Sequence, residues 1–198
     1  MSTRLAPVIV LSLLFAAPAA AQQELAPLER LNDAIGALQD GRFGDAEQLF
    51  REVIAADPQI EQAYLGLAEA LLAQNRGREA TLTVVDLAQR MIQQGRENEA
   101  IDLLGRALQL DPNLAVAHAL LGVARLGVGD FSDAVDSLQR AMALGEQSTQ
   151  TRLLLAAAQW EAGDHDGAEA TYRGTVEATD GDPVALHQYG SLLLWQGG

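Results

Sequence analysis

The sequence contains no cysteine. That removes disulfides, thiolate metal sites, a cysteine nucleophile and a lipid-modified cysteine at a processed N-terminus in one step. It contains no lysine either: all 13 basic residues are arginines, against 27 acidic residues and a formal net charge of −14. So acidic a chain suits neither nucleic acid nor anionic lipid, both of which need Lys or Arg against phosphate. Aromatics make up 5% of the residues although hydrophobic residues of all kinds reach 48%. Sheets draw on β-branched and aromatic side chains, so an alanine-rich chain poor in aromatics points to helices packed through small residues. Nor is there an apolar run long enough for a comfortable membrane span of ~20 residues.

The longest apolar run is at the start, in "MSTRLAPVIVLSLLFAAPAAAQQE". Arg4 precedes an apolar core from Leu5 to Ala17, which is followed by Pro18 and the small residues Ala19, Ala20 and Ala21. A charged start, a short apolar core and a small-residue exit describe a secretory signal peptide over 1–21, cut after Ala21. Left uncleaved, the same segment would be an anchor. Residues 22–27 then form a short N-terminal segment ahead of the folded part, and the expected location is the periplasm or the exterior.

Four stretches align without a gap: "GRFGDAEQLFREVIAADP" (41–58), "GRENEAIDLLGRALQLDP" (95–112), "GDFSDAVDSLQRAMALGE" (129–146) and "GDHDGAEATYRGTVEATD" (163–180). Each opens on a glycine able to end a preceding helix. Five residues on stands an alanine (Ala46, Ala100, Ala134, Ala168), and four further a large apolar residue (Phe50, Leu104, Leu138, Tyr172). That spacing makes one helical stripe. Ahead of three of them lies another helix, with Val84, Leu87, Ala88 and Met91, then His118, Leu121, Gly122 and Arg125, then Arg152, Leu155, Ala156 and Gln159 in matching columns. A last segment offers Leu186, Tyr189, Gly190 and Leu193.

This pattern resembles the tetratricopeptide repeat, a 34-residue helix–turn–helix with W-x2-L-G-x2-Y in its first helix and A-x3-F…P in its second. The resemblance implies an all-α fold: an α-solenoid of antiparallel helix pairs in a right-handed superhelix, of about ten helices over 28–198. Its units fall at about 28–60, 61–80 (partial, or hybrid with 81–94), 81–114, 115–148, 149–182 and a partial 183–198. The chain departs from the family pattern in several places. No unit has the tryptophan, and His118 and Arg152 fill that slot in two of them. The closing proline is replaced by Glu146 and Asp180, and the last two units lie one residue out of frame at "DGDP". The first unit fits with Leu31, Ala34, Ile35 and Leu38 as its stripe if its turn is one residue short. Small residues in one column (Ala68, Ala88, Gly122, Ala156, Gly190) let helix axes approach closely.

The repeat slips at "NRGREATLTVVDLAQRMIQQGRENEA" (75–100). Gly77-Arg78-Glu79 and Gly95-Arg96-Glu97 echo each other, leading to Ala80 and Ala100 only 20 residues apart. Helix 81–94 reads as a second helix looking back to Tyr64, Leu67, Ala68 and Leu71, and as a first helix looking forward to Ala100, Leu104 and Ala107. Leu82, Val84, Val85, Leu87, Ala88, Met91 and Ile92 cover most of its circumference, leaving Thr83, Asp86, Arg90 and Gln93 as a narrow polar stripe. A helix apolar nearly all round is a buried one. The expected consequence is a phase break near 75–100, with a kink or change of curvature between 28–74 and 97–198.

No constellation of catalytic residues is legible, and we expect neither enzyme nor cofactor. His118 occupies a packing column. His165 lies between Asp164 and Asp166, but one imidazole between two carboxylates is a weak metal signal. His187 and Ser191 share a helix face without an orienting carboxylate or oxyanion donors. The resemblance implies instead a partner-binding concave face, lined by first-helix residues outside the packing stripe: Leu65, Leu72, Val85, Ile92, Val123, Leu126, Leu153, Trp160, Leu194 and Trp195. The alternative for half of these is packing between units. The expected role is a non-catalytic scaffold of the bacterial envelope that binds a peptide or helix. The second reading is a periplasmic chaperone-like assembly factor holding unfolded chains. Leu194 and Trp195 also leave the last helix a face for a partner or a second copy.

Overall fold

The computed structural model describes the backbone of residues 19–196 and the side chains of 26–194. The leader read from the sequence therefore lies almost wholly outside the described residues, as does the side chain of Trp195. Among the described residues there are ten helices and no strand: α1 (Ala19–Gln39), α2 (Phe43–Ala56), α3 (Glu61–Ala73), α4 (Gly77–Gln93), α5 (Glu97–Leu110), α6 (Ala115–Val128), α7 (Phe131–Ala143), α8 (Thr149–Glu161), α9 (His165–Ala178) and α10 (Pro183–Gln196). Segment 22–27 is thus part of α1. The chain forms two compact units, Met1–Thr83 and Val84–Gly198. In the first, α1, α2 and α3 pack in sequence order and α1 also meets α3. In the second, the helices from α5 to α10 pack on their sequence neighbours, and α8 also meets α6 and α10. That is the all-α stack of helix pairs expected from the repeat.

One turn recurs inside the repeats. Gly41, Gly95, Gly129 and Gly163 are left-handed, with φ of 73°, 74°, 85° and 88°. The next amide donates to the carbonyl five residues back, Arg42 to Ala37, Arg96 to Met91 and Asp130 to Arg125 at 2.9 Å, and Asp164 to Gln159 at 2.8 Å. This is the double-bonded helix stop that favours glycine at the left-handed position. Between α3 and α4 the same position is held by Asn75, φ 60°, with Arg76 donating to Leu71 at 2.9 Å. Gly77 is the first residue of α4, so the Gly77 and Gly95 phrases do not occupy equivalent positions. The 20-residue interval survives, because Asn75 and Gly95 are equivalent. The turn after α1 has the same hydrogen bonds as the rest, so it is not one residue short. Instead the buried face of α1 runs through Leu31, Ala34 and Ala37, with Ile35 and Leu38 only half-buried.

Each second helix inserts its alanine where space is least. Ala46, Ala100, Ala134 and Ala168 are wholly enclosed, Ala80 almost so, and Phe50, Leu104 and Leu138 are fully buried four residues on. In the second unit Ala134 and Leu138 form a core with Leu155 and Ala158, flanked by Leu126, Val135, Met142 and Leu154. Leu153, Ala156, Tyr172, Ala185 and Leu192 form the next, flanked by Trp160, Val176 and Tyr189. At the "DGDP" frame slip two successive residues, Asp180 and Gly181, are left-handed at φ 51° and 81°. Asp182 then caps α10, its Oδ1 accepting the amides of Val184 and Ala185 at 2.9 and 3.0 Å. The extra turn residue is the physical content of the slip.

The boundary between the two units falls between Thr83 and Val84, inside α4, the helix with two registers. Both registers are occupied. Ala80 is enclosed as a second-helix alanine, and Leu87, Ala88 and Met91 are buried in first-helix columns. Val84, the second-helix large position, is half-buried. Leu82 is exposed, so the burial of α4 is not complete all round.

Candidate functional site

The candidate site lies in the second unit, where α8, α9 and α10 meet. Their packing leaves a cleft of about 610 Å³ lined by Ala157, Trp160, Glu161, Tyr172, His187, Gln188, Ser191 and Leu192. Trp160 is half-buried against the core below, and its ring sits 4.1 Å from that of His165 at 59°. Tyr172 forms the floor, and burial pushes its phenol above the usual tyrosine range. Glu161 and His187 stand at the rim, both exposed. Among the described residues no arginine lines the cleft, so its charge comes from Glu161. Ser191 donates its hydroxyl to the His187 backbone carbonyl at 2.9 Å. The two side chains therefore do not form a nucleophile–base pair.

The sequence candidates separate into three groups. Val85 and Leu153 are each 3% exposed, so they are core rather than groove. Leu153 in particular packs with Tyr172 and Leu192. Leu153 is covered by the helix pair that follows it, and the burial of both residues takes them off a binding face. Leu126 likewise flanks the Leu138 core, and Ile92 and Val123 are half-buried. Leu65 and Leu72 remain exposed, at 43% and 44%, a helical repeat apart on α3 in the first unit. Trp160 lines the cleft and Leu194 is 83% exposed. Ala157, Glu161 and Gln188 were not singled out by sequence. They belong to the same α8 and α10 faces as Trp160, His187 and Ser191, but carried no signal of their own.

The histidines and their neighbours have local duties. His118 donates from Nε2 to the Pro112 carbonyl at 3.0 Å, so it braces the α5–α6 turn from a half-buried position. Asp164 accepts the Gly167 amide at 3.0 Å as the N-cap of α9, and its other oxygen takes the Gln159 amide at 3.4 Å. Its carboxylate is thus spent on capping.

The strongest electrostatic cluster is structural. Glu47 on α2 is buried, and Arg76 reaches both of its oxygens, at 2.8 and 2.7 Å. Gln74 donates at 2.9 Å, and Arg51 also bonds it. Burial alone would raise the Glu47 carboxyl, but the Gln74 and Arg76 hydrogen bonds outweigh it and hold the group below the usual glutamate range. Arg76 also forks onto Glu79 at 2.6 and 2.5 Å, as Arg96 does onto Glu99 at 2.7 and 2.6 Å. In both turns an arginine in the capping position holds a carboxylate in the first turn, where the helix dipole favours negative charge.

Two family models, both described as tetratricopeptide repeat, match residues 37–91 and 119–183. No curated protein matches the chain. Among solved structures the chain is similar to the first repeat domain of Spaghetti (RPAP3) bound to the HSP90 peptide SRMEEVD, at 19% identity and a TM-score of 0.54 over 60% of this chain and 96% of that one. It is also similar to a tetratricopeptide repeat protein from Parabacteroides merdae, at 15% identity and a TM-score of 0.52 over 87% and 74%. A third is the Cut9–Hcn1 hetero-tetramer of APC/C, at 18% and 0.53, covering 86% of this chain and 37% of that one. At these identities the likeness is one of fold.

Proposed function

Because the chain belongs to the tetratricopeptide-repeat family, we propose that it is a non-catalytic interaction module whose α8–α10 cleft takes an extended segment of a partner protein. The observation that carries this reading is the cleft itself: an aromatic and aliphatic floor of Trp160, Tyr172 and Leu192 beneath a polar rim of Glu161, His187, Gln188 and Ser191. An apolar pocket with a few convergent polar groups is the usual form of a binding site. The floor suits one large apolar side chain, the rim supplies donors and acceptors for a peptide backbone, and Glu161 favours a neighbouring Arg or Lys. With a net charge of −14, the chain steers basic segments toward itself. The RPAP3 domain holds a peptide rich in acid within a similar fold. The Glu161 rim and the absence of lysine argue for the opposite charge preference here.

The leader-like N-terminus supports placing the module in the bacterial cell envelope, in the periplasm or outside the cell. N-terminal sequencing of the envelope-fraction protein is expected to begin at Gln22; a start at Met1 contradicts export with cleavage. The scaffold reading is tested by a photo-crosslinking residue at Gln188, with one at Leu65 as control. A scaffold gives one discrete adduct specific to Gln188. Identical adducts from both positions contradict the cleft as the site. A broad ladder of many clients from Gln188 favours the chaperone-like reading.

A further inference from the structure

We propose, resting on the reading of the α8–α10 cleft as the partner site, that Glu161 sets its specificity. The segment held there carries an arginine, its guanidinium laid against Trp160 and paired with Glu161.

The cleft lies between α8, α9 and the side of α10 that packs on them through Leu192. Its walls carry mostly hydrogen-bond acceptors. Glu161 has no ion pair among the described residues, whereas Glu47, Glu79 and Glu99 are each held by an arginine of this chain, at 2.7, 2.5 and 2.6 Å. Ser191 has spent its proton on the His187 carbonyl at 2.9 Å, so its oxygen offers a ligand only lone pairs. Tyr172 is 7% exposed, and burial alone acts on its phenol, which has no hydrogen-bond partner among the described residues. A hydroxyl on so enclosed a side chain normally finds a partner, and the open side here is the cleft that Tyr172 lines. The Gln188 amide and the His187 ring can each donate or accept. No Arg or Lys lines the opening.

Such a lining suits a cation with several donors. Guanidinium presents five N–H donors in one plane and no acceptor. An ammonium is a compact and more strongly hydrated point charge. The planar group can lie against an aromatic ring while it forks onto a carboxylate. Trp160 and Glu161 are consecutive on α8 and both line the cleft, which brings ring and carboxylate within reach of one side chain. Glu161 is also the last residue of α8, whose final turn holds no basic residue. The negative end of the helix dipole therefore adds to the attraction. The methylenes of an arginine stem cover apolar floor on the way in.

Three peptides test the proposal: acetyl-Ala-Leu-Arg-Ala amide, its lysine counterpart, and its citrulline counterpart, which keeps the shape of arginine without the charge. Binding to the full chain is followed by the NMR signal of the Trp160 indole, identified by its loss in Trp160→Phe. The arginine peptide is expected to shift that signal saturably, with the lysine peptide severalfold weaker. The citrulline peptide is expected to be about tenfold weaker, the worth of one cation–π contact and one exposed ion pair. Glu161 is exposed, so Glu161→Gln is expected to keep the helical circular dichroism and lose most of the arginine preference. Equal binding of the arginine peptide and either counterpart, or a preference that survives Glu161→Gln, overturns the proposal. A discrete Gln188 crosslink from a protein without arginine preference removes the arginine and leaves the cleft as the partner site. No crosslink, and no Trp160 shift with any peptide, removes both.

Discussion

Gly122 and Leu138 show how much a single missing Cβ does. Leu138 is fully enclosed among Ala134, Leu155 and Ala158, so it cannot retreat from a side chain added at Gly122. Gly122→Leu is therefore expected to destabilise by about 1–3 kcal/mol through overpacking, read as a lower thermal midpoint; an unchanged melt contradicts the packing described. Glu47 makes a second residue-scale prediction. Its folded carboxyl lies below the ordinary range, so its contribution is complete above the unfolded value and is lost as pH falls through the folded one. Glu47→Gln is expected to cost about 1–2 kcal/mol at neutral pH, less than the ~3–5 of a fully enclosed pair, because Arg51 and Arg76 are partly solvated. Urea midpoints of the two proteins should converge on going from pH 7 toward pH 3; a constant gap contradicts the linkage. Neither the Glu47–Arg76 pair nor the contact of Gly66 with Phe50 was legible in sequence. Both depend on which residues of neighbouring helices are brought opposite each other, and helical periodicity records only each helix's own face.

Helices, by contrast, were largely legible, because the alanine-x3-large stripe and the glycine stop repeat in phase and each copy vouches for the others. Where the copies disagreed, sequence went astray. The turn before α4 has Asn75, not glycine, at its left-handed position, a residue that tolerates this conformation by local hydrogen bonding and so hides it from a search for glycine. This yields a paired prediction. Asn75→Ala is expected to destabilise by about 1 kcal/mol, the cost of a Cβ-bearing residue without that bonding at positive φ. Gly77→Ala, at a helical position with open space around it, is expected to stabilise by ~0.4–1 kcal/mol. Denaturant midpoints moving in the reverse directions would contradict the left-handed turn at Asn75. The division of the chain at Thr83 and Val84 falls in this same helix. One segment supplies the enclosed Ala80 of a second helix and the Leu87–Ala88 pair of a first, which accounts for the 20-residue interval.

At the scale of the whole molecule, the sequence marked apolar columns without showing which of them packing would cover. Of the residues expected on the binding face, Trp160 lines the cleft, whereas Val85 and Leu153 are core, Leu153 because the following helix pair covers it. Of the polar rim, His187 and Ser191 were noticed only as a pair on one helix face, and Glu161 and Gln188 were silent, since they look like any solvated helix face until α8 and α10 place them around one opening. The proposed function has this opening contact a partner through Trp160. It is tested most directly by repeating the Gln188 crosslink with Trp160→Ala, a truncation of a half-buried ring that leaves Leu153, Tyr172 and Leu192 in place. The discrete adduct is expected to fall at least severalfold while the thermal melt stays cooperative. An adduct of undiminished yield from a folded Trp160→Ala protein would contradict it.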